Sequence, residues 1–123
     1  MKFCWVTIHV EDIGKSVAFY QEILELKLQQ HMKPNPEMEI VFLGAGQTQV
    51  ELIWHKGKRA APFSQDISLG FVTPSLDQTM RMLREKQIPI VEGPVQPSPD
   101  IRFAFIQDPD GLKIQLVEHL TSV

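Results

Sequence analysis

Three histidines stand at strand-like positions, and each could act as a metal ligand or a proton carrier. His9 is next to last in the alternating run Cys4-Trp5-Val6-Thr7-Ile8-His9-Val10, while His55 and His119 end the runs Gln49–His55 and Leu112–His119. By strand parity His9 shares a face with Trp5 and Thr7, His55 with Glu51 and Ile53, and His119 with Gln115 and Val117. An imidazole titrates near pH 6.5, so His9 is a candidate general base as well as a ligand. His55 and His119 are expected as solvated strand-end side chains. Cys4 falls on the parity of Val6, Ile8 and Val10 and is expected as an inert core thiol. Lys56, Lys58 and Arg59 are expected in a solvated linker. The chain has no Ser-His-Asp order, no P-loop and no Cys-x-x-Cys pair.

The elements that must position these groups follow from periodicity. The alternation over 3–10 predicts a half-buried strand. Asp12 is placed to cap a helix carrying Ile13, Val17, Tyr20, Ile23 and Leu24. Strands are expected at Leu26–Gln30, Glu39–Leu43 and Gln49–His55, with a loop at Pro34-Asn35-Pro36. A linker over Lys56–Asp66 follows, and the pattern restarts. Ile67–Thr73 and Ile88–Glu92 are expected as strands around a helix, Ser75–Gln87, with Leu76, Met80 and Leu83 inward. Gly93–Asp100, holding Pro94, Pro97 and Pro99, is expected as a loop. Arg102–Gln107 and Leu112–His119 form a hairpin through Asp108-Pro109-Asp110-Gly111.

The halves overlay. Val50–His55 lies over Ile114–His119 at a shift of 64, and Phe42-Leu43 over Phe105-Ile106 and Asp12-Ile13 over Ser75-Leu76 at 63. A duplicated βαβββ unit is the expectation, module 1 at about 1–60 and module 2 at about 65–123. Units of this size bury little core alone, so one domain over 1–123 is expected.

The 123 residues are 43% hydrophobic and 22% charged, a globular composition for one domain. A net charge of −3 gives no basic footprint for nucleic acid or an anionic membrane. The N-terminal run is broken by Thr7 and His9 and met by Glu11-Asp12, unlike a secretory signal. No apolar run approaches the roughly 20 residues that span a bilayer. The lone cysteine needs no oxidising compartment. A soluble cytoplasmic protein is expected.

The chain resembles the glyoxalase/bleomycin-resistance/dioxygenase (vicinal oxygen chelate) family over nearly its whole length. The likeness is carried by Asp12-Ile13-x-x-Ser16-x-x-Phe19-Tyr20-x-x-x-Leu24-x-Leu26-x-Leu28 and by Asp108-Pro109-Asp110-Gly111-x-x-Ile114-x-Leu116-x-Glu118. Glu25 stands where the family usually has a helix-ending glycine. The resemblance implies an α+β fold of two βαβββ modules whose mixed sheets enclose a cleft, commonly in a homodimer. Its metalloenzymes hold one divalent metal with His and Glu side chains from the first and last strand of each module.

Over this chain those positions are Trp5, Glu51, Ser68 and Gln115. Only Glu51 keeps a usual ligand. Indole nitrogen only donates, and neutral oxygens from Ser68 and Gln115 bind transition metals poorly. The expectation is no cofactor, the divalent metal being disfavoured, and a cleft lined by Trp5, Thr7, His9, Glu51, Ile53, Ser68, Gly70, Gln115 and Val117. The first functional reading is binding or sequestration of a small molecule, with Trp5 either offering a flat face or plugging the cleft. The alternative is a lyase or isomerase of the glyoxalase I type with a rebuilt site, using Glu51 or His9 as base. An unpaired, partly buried Glu51 would suit that role. A pure interaction module is the third reading.

Overall fold

The computed structural model describes residues 1–120, and 121–123, the end expected to close module 2, lie outside it. The chain divides into two compact units, Met1–Pro62 and Phe63–Val123. Each contains one four-stranded sheet and one helical segment in β-α-β-β-β order.

In the first unit the strands are β1 (Trp5–His9), β2 (Leu28–Asn35), β3 (Met38–Leu43) and β4 (Gln49–His55). Their order across the sheet is β1-β4-β3-β2, with β1 parallel to β4 and the other pairs antiparallel. Helix α1 (Ile13–Ala18) runs on into a wider π-helical turn, Phe19–Ile23. Asp12 caps it as its sequence position predicts, its Oδ1 accepting the Lys15 N–H at 3.0 Å. The buried stripe is Ser16, Phe19, Tyr20 and Ile23, rather than one running through Ile13, Val17 and Leu24. These residues accompany Ile8, Val10, Val41, Leu43, Val50 and Leu52 in a buried core.

The second unit repeats the plan with β5 (Ser68–Val72), α2 (Leu76–Glu85), β6 (Glu92–Ser98), β7 (Ile101–Gln107) and β8 (Lys113–His119), in the order β5-β8-β7-β6. Leu76, Met80 and Leu83 face inward as expected, and Ser75 caps α2 through the Gln78 N–H. The α2 N-terminus is also held by β8, because the Leu76 N–H donates to Glu118 Oε1 at 2.8 Å. Arg102 bridges this carboxylate and Asp77, at 3.9 and 3.1 Å. The hydrogen bond to Asp77 is the main cause holding the Arg102 guanidinium above its ordinary pKa.

Several expectations are corrected, beginning with the strand expected at Ile88–Glu92, of which only Glu92 belongs to a strand, β6. Pro34 and Asn35 lie inside β2, and the prolines assigned to the 93–100 loop include Pro94 and Pro97 of β6. Both strands are sheet edges, where a missing N–H leaves no ladder bond unmade. Cys4 is exposed rather than a core thiol, since β1 begins one residue later. Glu25 takes the left-handed conformation (φ 57°) that a helix-ending glycine would adopt, and Gln87 (φ 59°) does the same after α2.

Candidate functional site

Each sheet has one face in its core and one facing away. Direct cross-strand partners share a face, so the register assembles the open face of the first sheet residue by residue. Trp5 stands opposite Gln49, Thr7 opposite Glu51 and His9 opposite Ile53. Across β3, Phe42 partners Glu51, Ile40 partners Ile53 and Met38 partners His55. Trp5, Thr7, His9, Glu51 and Ile53 therefore occupy one surface, as strand parity predicts.

Three contacts organise it. The Trp5 ring meets Phe42 edge to face with centroids 5.3 Å apart, covering Phe42 to 8% exposure while Trp5 itself remains 47% exposed. Thr7 Oγ1 donates to Glu51 Oε1 at 2.5 Å, so the carboxylate is not the unpaired group the base reading called for. The His9 and His55 rings lie nearly parallel, 6.0 Å between centroids. His55 is thus part of the surface and not merely a solvated strand end.

On the second sheet, Ser68, Gly70, Gln115 and Val117 share the open face. Gly70 partners Gln115, Ser68 partners Lys113, and Phe105 and Phe103 partner Gln115 and Val117. Gln115 Oε1 lies 3.7 Å from where a Cβ on Gly70 would be, an ordinary contact distance that an alanine there would also allow. Phe103 and Phe105 meet edge to face at 5.6 Å, and Lys113 Nζ stands 4.3 Å from the Phe105 centroid and 3.8 Å from Glu92. A cation over an aromatic face is attracted by the ring quadrupole.

Sequence reasoning missed Phe42, Phe103, Phe105 and Lys113. Ile40-Val41-Phe42-Leu43 is apolar at every position, so alternation does not say which side chains face out. A four-residue match between Glu51/His55 and Gln115/His119, extended to Phe42 over Phe105, would have found both phenylalanines.

The donor set does not fit a divalent metal at the family positions. The Trp5 indole has no lone pair to give and is engaged with Phe42. The Glu51 carboxylate is engaged by Thr7, and Ser68 and Gln115 offer only neutral oxygens. Among the described residues no three His, Cys, Asp or Glu side chains form a group able to hold a metal ion. No described helix is long and apolar enough to cross a membrane.

Two βαβββ units that repeat one strand order, with side chains displayed from their first and last strands, define a known class. Residues 2–116 match the Glyoxalase/Bleomycin resistance protein/Dioxygenase superfamily, and the chain belongs to it. Among its relatives, lactoylglutathione lyase of Salmonella typhimurium is 29% identical, over 96% of this chain and 93% of that protein. Among solved structures, the glyoxalase I of Leishmania major superposes with a TM-score of 0.82 at 24% identity, over 96% of this chain and 86% of that one. TnmS3, an antibiotic-binding protein from Streptomyces sp. CB03234, superposes with a TM-score of 0.76 at 21% identity, over 97% and 96%.

Proposed function

We propose that this protein binds a small organic molecule against the open face of its first sheet, without the superfamily's usual divalent metal. The observation that carries this reading is Trp5. It stands where the metalloenzymes place a ligand, leans on Phe42, and keeps about half its surface open. A half-exposed indole braced by a second ring offers a planar apolar platform, and Glu51 beside it keeps acceptor capacity for a donor or cationic group. The ligand class is accordingly a flat aromatic molecule carrying a donor or positive charge. TnmS3, an antibiotic-binding protein, shares this fold, which is consistent with a binding role. A cytoplasmic homodimer is the state in which we expect it to work.

The test uses fluorescence in a Trp54→Phe background, where Trp5 is the one remaining indole; Trp54 lies on the opposite face, paired with Glu39. Saturable quenching by members of a panel of planar aromatic cations, lost in Trp5→Ala, is the expected result. Metal analysis and a lactoylglutathione lyase assay with added Ni²⁺ or Zn²⁺ complete it. Stoichiometric metal with metal-dependent turnover, both lost in Glu51→Gln, would overturn the binding reading in favour of the rebuilt lyase.

A further inference from the structure

Two histidines 46 residues apart in sequence, His9 and His55, meet at the far end of the first sheet's open face. The parallel register sets His9 against Ile53, so His55 lies two residues further along β4 on the same face. The planes are 15° apart and the centroids 6.0 Å apart. His9 is exposed and His55 half-buried. Neither side chain hydrogen-bonds or ion-pairs with another described residue, unlike His31, which meets Glu39 at 2.8 Å. Ring nitrogens of both therefore remain available.

The spacing suits a shared metal ion. A zinc–imidazole bond is about 2.1 Å, which puts the ring centroid about 3.2 Å from the metal. Two rings on one ion then have centroids about 5 Å apart at a tetrahedral angle and about 6.4 Å apart across it. The observed separation falls inside that interval. The 6.0 Å separation is about 1 Å wider than the tetrahedral value, a gap that rotation of the exposed His9 side chain about χ1 and χ2 must close on binding.

We propose that His9 and His55 form a two-histidine site for a late first-row divalent cation, with the remaining positions open to water or an incoming ligand. Imidazole is the donor these ions favour among neutral side chains. The site uses none of Trp5, Glu51, Ser68 or Gln115, and it rests on no part of the small-molecule reading above.

The probe is Zn²⁺, a late first-row ion with no redox chemistry of its own. Titration is followed by calorimetry and by the imidazole resonances of the full chain. The expected result is one saturable site that shifts the His9 and His55 resonances together and releases protons on binding. Loss of one arm of a chelate lowers affinity on the order of 10²-fold, so His9→Ala and His55→Ala should each do so. His31→Ala and His119→Ala should leave the affinity unchanged. His9 is exposed at a strand end, so its variant should fold, which a melting curve checks. Unchanged Zn²⁺ affinity in His9→Ala, or binding abolished by Glu51→Gln and retained in His9→Ala, would overturn the assignment.

Discussion

The two sheets are copies on one side and strangers on the other. Toward the helices, Val41, Leu43, Val50 and Leu52 of the first correspond to Ala104, Ile106, Ile114 and Leu116 of the second, and all eight are buried. On the open faces the phenylalanine is kept, Phe42 over Phe105, but its cover is exchanged. In the first sheet an indole from β1 leans on it; in the second, Ser68 is too small to reach, and the Lys113 ammonium from β8 sits over the ring. Glu51 likewise becomes Gln115. Packing constrains the inner face to apolar side chains, whereas the outer face is free to change its chemistry. The first unit thus presents an indole beside a carboxylate, the second an ammonium and an amide beside two phenylalanines.

Substitution on the two faces should separate these roles, and the largest effect belongs to the core. Leu52→Ala and Leu116→Ala should each cost about 2–5 kcal/mol in chemical denaturation, since both leave a cavity beneath a helix. Trp5→Ala and Lys113→Ala should each change stability by less than about 1 kcal/mol, and only Trp5→Ala should abolish the ligand response. A Trp5→Ala variant as damaged as Leu52→Ala would make Trp5 a core residue and erase the contrast.

An intermediate effect is expected at Gly93. Its φ is 97°, and an added Cβ would lie 2.9 Å from the Phe103 carbonyl oxygen. Gly93→Ala should therefore lose more than about 1 kcal/mol by thermal melting, through strain and contact together. Next comes Glu118, which closes α2 onto β8 where the first unit has Trp54 opposite no such duty. Glu118→Ala frees the Leu76 N–H and one Arg102 contact and should cost about 1–2 kcal/mol. Trp54→Phe should leave the capping of α1 by Asp12 intact, a difference that hydrogen exchange at the two helix N-termini would register.

Much of this architecture was legible in the sequence. The pattern located β4 and, one residue early, β8; the Asp12 cap located the first helix, the spacing of Leu76, Met80 and Leu83 the second, and Asp108-Pro109-Asp110-Gly111 the last hairpin. Strand parity put Trp5, Thr7, His9, Glu51 and Ile53 on one face. The edge strands were hidden because proline reads as a loop unless the strand is known to lack an outer neighbour. The His9–His55 encounter was hidden for a related reason. It depends on β1 lying parallel beside β4, an adjacency across the sheet that order along the chain does not declare.

The smallest expected effect concerns the helix ends and explains the π-helical turn. Ser75 follows Asp12 by 63 residues, but Gln87 follows Glu25 by only 62, so the first helical segment holds one more residue between its cap and its left-handed end. A π turn is how a helix absorbs one extra residue without losing its face, and Phe19–Ile23 is that turn. Both ends then need a left-handed residue, and both fill it with a side chain that prefers not to be there. Glu25→Gly and Gln87→Gly should each stabilise the protein by about 0.5–1 kcal/mol, the relief of strain exceeding glycine's added unfolded-state entropy. Equal gains at the two sites, measured as shifts in the denaturation midpoint, would show that the inserted residue is accommodated entirely within the turn. A gain at Gln87 alone would mean that the π turn already relaxes the strain at Glu25.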